Sequence, residues 1–593
     1  MGLLQKAVET YESHLDYASE EREGQVMMAP VGHIITRAEL EITLDRDGIF
    51  VNASAVDKRE PKIIIPATES SAGRTSAPCA HPLCEQIGYL IPANEKKYTL
   101  YLNQLAAWEK SNYTHPKLTP ILHYVGNGTI LSDLVRCGLV KVNDEGIPED
   151  EKMMVRWRVL GEAPDACWLD RSLFDSFTAY YLSAQDGSDG LCMVTGFVET
   201  TASQHPKGIV SINGNAKLIS ANDSSGFTYR GRFTEEAQAL TISYRASQKA
   251  HNALRWLVDS QGVRAIFGGR TFLCWNPQGK AVIPPYLPFM RPPIPIFKPS
   301  DYRDELQKAL SSKKAELKLS DGVVLAAFDA ATTGRLALTY YNELQAHDFL
   351  RRLHDWDISC CWPHREYGIQ TPYLNQIVEC AFGTPRTEKG NCRLEVDERI
   401  LRQQMQRLIA CRVDRAAVGT DLVKALTDRA SRPLAHEYVR ENILFTACAV
   451  IRKYRMDRFK EEWNMALEPE RMDRSYQFGR LLAVMEKVER DTYGNSESRE
   501  PNAIRLQSVF CQRPMDTAAN LEKQLERAYF PRLKTGSRIW YKNLMGQIME
   551  IISNFPGEEN KPLDSTYLMG YYLQRSAMYE KKTNNEMEEQ ENG

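Results

Sequence analysis

Several things are missing from this chain of 593 residues. It has no apolar run able to cross a bilayer. The longest, Ile443 to Ile451, is interrupted by Thr446 and falls well short of the roughly 20 residues a spanning helix needs. The start, MGLLQKAVETYESHL, has no signal-peptide core and is charged at Lys6 and Glu9. Lys6 also stands where a myristoylation motif wants Ser or Thr. There is no excess of basic charge: the formal net charge is −3, so any contact with nucleic acid must come from local patches, within a larger complex. The 13 cysteines are odd in number and scattered, which is thiol usage in a reducing compartment and not a disulfide framework. These absences predict a cytoplasmic protein with no membrane association. With 43% hydrophobic and 25% charged residues the composition is that of a globular protein, and the length predicts two to four domains.

The order of patterns along the chain predicts an α+β protein. Leu4, Val8, Tyr11 and Leu15 lie at helical spacing and predict a helix from Leu3 to about Tyr17. AELEITLDRDGIFVNAS (38–54) reads as a hairpin turning at Asp47-Gly48, KIIIP (62–66) as a short strand, and GGRTFLCWNP (268–277) as a strand ending at Pro277. Residues 1–280 are therefore expected to form a mixed α/β part with antiparallel strands. Positions 281–300, AVIPPYLPFMRPPIPIFKPS, carry seven prolines and predict a linker or extended arm. A helix (301–318) and a hairpin, GVVLAAFDAATTGRLALTYY, follow, so 281–394 reads as a connecting segment. Residues 395–593 read as a helical bundle, with stripes at Leu401/Met405/Leu408, Ile443/Ala447/Val450/Tyr454, Phe478/Leu481/Leu482/Met485 and Leu521/Leu525/Tyr529. Pro433, Pro501, Pro531 and Pro562 fall between them, where helices should end. The tail EMEEQENG is acidic and is expected to lack structure.

The candidate catalytic motifs fail on spacing. In HPKGIVSINGNAKLISANDSSGF (205–227), Gly208 and Gly214 are too far apart for a phosphate loop, Asn215 stands where its lysine should be, and no hydroxyl follows Lys217. The stretch is expected to turn corners between strands. AHDFLRRLHDW (346–356) carries two His-Asp pairs, and His347, Asp348, His354 and Asp355 define an alternative reading as a metal-dependent nuclease. Leu350, Leu353 and Trp356 favour an ordinary amphipathic helix. Cys79, His81 and Cys84, with Cys360, Cys361 or His364, could make a structural zinc site, but no CxxC pair accompanies them. No G-x-S-x-G elbow is present. The expectation is a non-enzyme with no catalytic residue, metal or cofactor.

What is present is a set of basic, amide-rich and aromatic clusters of the nucleic-acid-binding type. Lys207, Asn213, Asn215, Lys217, Asn222 and Arg230 lie in the Gly-rich region. YRASQKAHNALRW (244–256) adds Arg245 and Lys249, and RKYRMDRFK (452–460) packs Arg452, Lys453, Arg455 and Arg458 among its five cations. FPRLKTGSRIWYK (530–542) spaces Arg532, Lys534 and Arg538 among Phe530, Trp540 and Tyr541.

These stretches, in this order, resemble a known family. HPKGIVSINGNAKLISANDSSGFTYRGR, YRASQKAHNAL, GGRTFLCWNP, LVKALTDRASRP, ILFTACAVIRKY, YQFGRLLAVMEKV and PLDSTYLMGYYLQR resemble the large subunit of the type I-C CRISPR surveillance complex, Cascade. The resemblance spans nearly the whole chain and is loose over 110–190 and 281–395. It implies a non-catalytic subunit for antiviral defence that reads a protospacer-adjacent motif in duplex DNA and stabilises the R-loop beside a guide RNA. The implied partners are the guide RNA, the target duplex DNA, the Cascade backbone and guide-end subunits and a separately encoded, recruited nuclease-helicase. A small subunit made by internal initiation is implied as well, with Met472 as the expected start (472–593) and Met456 and Met465 as runners-up. Where the family tends to have Leu-Trp-Asp-Asn and then Tyr, this chain has Leu83-Cys84-Glu85-Gln86 and Tyr89, which makes Gln86 the counterpart of the motif-reading asparagine. A scaffold subunit without DNA contact is the remaining alternative.

Overall fold

The computed structural model describes residues 2–17, 26–60, 62–74, 77–144, 146–185, 189–210, 214–220, 231–260, 262–388, 391–494 and 498–591. The chain forms two compact units, Met1–Val282 with Gly322–Glu343, and Ile283–Asp321 with Leu344–Gly593. The fold is mixed α+β, with small sheets in the first unit and mainly helices in the second.

In the first unit, helix α1 (Leu3–Ser13) is shorter than the pattern predicts, and Leu15–Tyr17 tightens into a 3₁₀ turn. Strands β1 (Leu40–Leu44) and β2 (Phe50–Ala55) pair antiparallel. Their turn works because Gly48 adopts φ +78° and the Asp45 carboxylate accepts from the Asp47 and Ile49 N–H groups. Strand β3 (Glu85–Gln86) leads directly into α2 (Ile87–Leu90), and β4 (Met154–Val159) completes a four-stranded sheet in the order β2-β1-β4-β3. The β1–β4 pair is parallel. Helices α3 (Glu95–Glu109), α4 (Leu118–Gly126) and α5 (Arg171–Ser183) supply Tyr101, Leu105, Trp108, Ile121 and Phe177 to the same core as Leu40, Ile42 and Trp157.

A hairpin of β5 (Asp189–Leu191) and β6 (Val198–Thr200) follows, then the amphipathic helix α6 (Tyr244–Asp259), capped by Ser243. A second sheet runs β10-β9-β8-β7, from β7 (Arg264–Phe267), β8 (Arg270–Trp275), β9 (Gly322–Thr332) and β10 (Arg335–Gln345). The register Thr271↔Phe328 to Trp275↔Val324 ties the distant hairpin into this sheet. This pairing divides the expected connecting segment 281–394, because its hairpin belongs to the first unit and the rest of it to the second.

The Pro-rich arm is held in the second unit by a buried ion pair and by the Ile369 N–H, which donates to the Ile296 carbonyl at 2.7 Å. Arg412 and Asp357, both nearly inaccessible to solvent, meet at 2.6 Å. Arg412 also donates to the carbonyls of Pro285 and Leu287, while Asp357 accepts the Phe289 N–H at 2.7 Å. A buried charge pair is costly unless its hydrogen-bonding groups are met, and here the arm's backbone meets several of them, while the Arg412 Nε–H has no partner among the described residues. Helix α7 (Pro299–Glu316) precedes the hairpin, and α8 (Ala346–Ser359), α9 (Leu374–Phe382), α10 (Glu398–Val413), α11 (Thr420–Ala430) and α12 (Arg440–Phe459) follow it. Then come α13 (Arg474–Arg490), α14 (Pro514–Gln524), α15 (Thr535–Ile552) and α16 (Thr566–Glu591). The bounds of α16 take in part of the acidic tail expected to lack structure.

Helix α13 is the centre of this bundle, buried along nearly its whole length. It crosses α16 through two glycines: a Cβ at Gly479 would lie 1.9 Å from the Tyr567 carbonyl oxygen, and one at Gly570 would lie 2.1 Å from that of Tyr476. The backbones touch because neither helix carries a side chain there.

Candidate nucleic-acid interface

Residue Gln86 stands at the end of a braced loop. The carboxylate of Glu85 beside it is wholly buried. It accepts both arms of the Arg74 guanidinium (2.5 and 2.9 Å), the His81 N–H (2.6 Å) and the Gln86 N–H (2.7 Å). Such charge-assisted bonds compensate for the lost water and fix the loop. Arg74 also donates to the Cys79 carbonyl and lies 5.0 Å above the Tyr89 ring. Gln86, half-buried at the residue preceding α2, makes no side-chain hydrogen bond among the described residues. Its backbone is braced by Glu85, and its side-chain amide has donor and acceptor free among the described residues.

The described parts of the Gly-rich stretch, 205–210 and 214–220, turn a corner. Gly208 adopts φ +74° and donates to the Ala216 carbonyl, and a Cβ there would lie 2.8 Å from the Gly214 oxygen. The turn places Lys207 opposite Lys217. Its outer side is closed by the tip of the β9–β10 hairpin: Lys217 N–H donates to Gly334 and the Leu336 N–H donates to Lys217. Exposed Arg335 sits at that junction. The turn meets the Gln86 loop where the Lys207 ammonium donates to the Arg74 carbonyl at 3.3 Å.

This corner is electropositive. Burial, followed by the cations of Lys217 and Arg74, holds the Lys207 ammonium below its ordinary pKa. Arg74 is already matched by Glu85, whereas neither lysine has an ion-pair partner among the described residues. Burial pushes the Glu69 carboxyl up, against the pull of Ser203 and Lys217. Asn215 is exposed on the turn, while Asn213, Asn222 and Arg230 lie outside the described residues. On α6, Arg245 is exposed and Lys249 pairs with Glu12 at 2.9 Å. Arg74 and Arg335 were not singled out by the sequence. The only signal was the TTGR tip for Arg335, and nothing local marks Arg74.

The basic run 452–460 is corrected by its packing. Arg452 is buried and donates to the carbonyls of Trp463 and Ile358, so it cannot face a strand. Lys453 pairs with Asp457 at 2.6 Å. Arg455 forks onto Glu461 and also reaches Asp564. Arg458 alone of the four is exposed and without a carboxylate partner among the described residues. The 530–542 cluster lies mostly at the surface. Arg532 and Lys534 are exposed just before α15, Arg538 is half-buried, and Ile539 and Trp540 present apolar surface beside them. Lys542 pairs with Glu526 and lies 5.0 Å above the Phe530 ring. Cations around an exposed indole suit a single strand, whose phosphates and bases need both.

The His-Asp residues do not converge. The His347 ring bonds the carbonyls of Lys314 and Leu317, Asp348 pairs with Arg352, and Asp355 pairs with Arg415. The imidazole of His354 is buried beside Phe289. In the zinc candidate, His81 bonds Ser71 and burial holds its pKa down to about 4, while burial pushes the Cys84 thiol far up. Among the described residues, no group of three or more His, Cys, Asp and Glu is arranged to hold a metal ion.

The described chain thus presents two cationic, amide- or aromatic-bearing surfaces, one in each unit, with the class of features a nucleic-acid-binding protein uses. A family model described as CRISPR-associated protein (Cas_Csd1) matches residues 8–579. The chain belongs to this family, and is a CRISPR-associated component of a Cascade complex. No curated protein matches the chain. No described helix is long and apolar enough to cross a membrane.

Proposed function

We propose that this chain is the non-catalytic large subunit of a type I-C Cascade, reading a protospacer-adjacent motif in duplex DNA and stabilising the R-loop. The observation that carries the reading is the meeting of two sequence-distant elements: the unpartnered Gln86 amide on its braced loop and the Lys207/Lys217 turn, joined through Arg74. An amide can bond an adenine edge in the major groove or the A·T acceptors of the minor groove, while lysines hold phosphates without regard to sequence. Base pairing with the guide RNA then supplies the long-range specificity. The surface around Arg532, Lys534, Arg538 and Trp540 would hold the displaced strand, with the recruited nuclease-helicase as a separate protein.

The test is titration of motif-bearing and motif-free duplex with the assembled complex. Gln86→Ala should weaken the first by about 1–3 kcal/mol and leave the second unchanged. Equal losses on both duplexes, or none, would remove Gln86 from the motif.

A further inference from the structure

The β5–β6 hairpin of the first unit exposes apolar side chains that the fold does not use. Leu191 and Val198 face each other in register and are 61% and 70% exposed, and Phe197 is 72% exposed. Met193 and Leu240 add to the same region, which the Met193 N–H joins by donating to the Thr241 carbonyl at 2.8 Å. The hairpin is not a loose loop. Cys192 is fully buried beneath it, Gly196 donates to Cys192, and the Cys192 N–H donates to Phe197. A two-stranded ribbon has little stability of its own in water, and clustered exposed apolar residues on a fixed scaffold mark an interaction surface.

The charge beside this surface identifies what covers it. Asp189 and Glu199 flank the apolar residues and, among the described residues, accept only from hydroxyls, Asp189 from Thr200 and Glu199 from Thr195. No cation pairs with either among the described residues. Uncompensated carboxylates repel phosphates, so a nucleic acid does not fit here. An apolar pocket rimmed with basic groups does, and proteins that grip an RNA carry such basic surface. We propose that the β5–β6 hairpin docks into a basic-rimmed apolar pocket on a protein partner, within the complex to which the proposed function assigns this chain.

The test uses the full chain, assembled with its guide RNA and the other subunits. A photo-cross-linking residue at position 197 should join a protein subunit of the complex. Cross-links to RNA or DNA, to a second copy, or within the same chain would each overturn the proposal. Phe197→Ser with Val198→Ser should weaken association with the rest of the complex at least about tenfold, the scale of a lost interface hot spot. The melting temperature and motif-DNA affinity of the isolated chain should not change. Asp189→Asn with Glu199→Gln should reduce the salt dependence of association. Assembly of both variants with wild-type affinity would sink the surface while leaving the function reading intact. Failure of the wild-type chain to join any guide-RNA complex would sink both.

Discussion

Removing the two lysines of the Gly-rich turn tests the phosphate-holding half of the site. Lys207 and Lys217 sit opposite each other without an ion-pair partner among the described residues, and repulsion from Lys217 adds to burial in holding the Lys207 pKa down. A phosphate between them would relieve that repulsion. Each duplex phosphate contact contributes about 0.9 to the slope of log affinity against log salt, so Lys207→Ala with Lys217→Ala should flatten the slope by about 1.8. Between 50 and 200 mM salt that difference amounts to about tenfold in the ratio of variant to wild-type affinity. The turn itself should survive, because its closing bonds come from the backbone of Gly208, Lys217 and Leu336 and not from the ammonium groups. The assay is fluorescence anisotropy of the assembled complex with motif-bearing and motif-free duplex over that salt range. Both DNAs should weaken together. An unchanged slope would refute the reasoning, and so would a loss confined to the motif.

Other consequences can be checked on the protein alone. Asp357→Ala strands the Arg412 guanidinium in the core, and chemical denaturation of the full chain should show a loss of about 3–5 kcal/mol; a loss under about 1 kcal/mol would mean the arm is held otherwise. Asp170 caps α5 and meets Lys117; burial raises its pKa, but the bonds from Lys117 and Ser172 outweigh this and leave it below the ordinary value. Its stabilisation is therefore full above about pH 4 and is lost as pH falls through the folded value, so thermal curves of Asp170→Asn and wild type should differ at pH 7 and converge in acid. For the internal start, packing shifts the expectation from Met472 to Met465. The buried Gln477 amide donates to the carbonyls of Pro469 and Arg471, and Arg480 donates to that of Pro469. A chain beginning at Met472 would lose the Pro469 and Arg471 carbonyls, leaving the Gln477 amide without these acceptors and Arg480 with only Gln477 and Gln574. Intact-mass analysis of any small chain in the purified complex should find residues 465–593, and a product beginning at Met472 would refute the packing argument.

Much of the fold was legible because it is local. The Asp47-Gly48 turn, the strand ending before Pro277 and the helix stripes each follow from spacing over a few residues. The fate of 281–394 was not, because it depends on β8–β9 pairing across about 50 residues and on one ion pair between α8 and α10. The site divides in the same way. Gln86 and the Lys207/Lys217 turn were visible as residue types, whereas their meeting through Arg74 is tertiary. The run at 452–460 misled because a count of cations is blind to burial. Helix α12 is covered on more than one face, so Arg452 belongs to the interior and Arg455 to an internal ion-pair network.

The glycine crossing of α13 and α16 also sets a schedule on the ribosome. Helix α13 leaves the exit tunnel with apolar residues on every side, yet the helix that fits against Gly479 is made much later. About 75 residues separate Arg490 from Thr566, which at roughly 5–20 residues per second is a wait of about 4–15 s. Throughout that interval the centre of the second unit has no lid, and a nascent chain halted in it would be a client for holding chaperones. Closure of this crossing thereby waits on the synthesis of α16, and a chain truncated before Thr566 would lack the element that fits against Gly479.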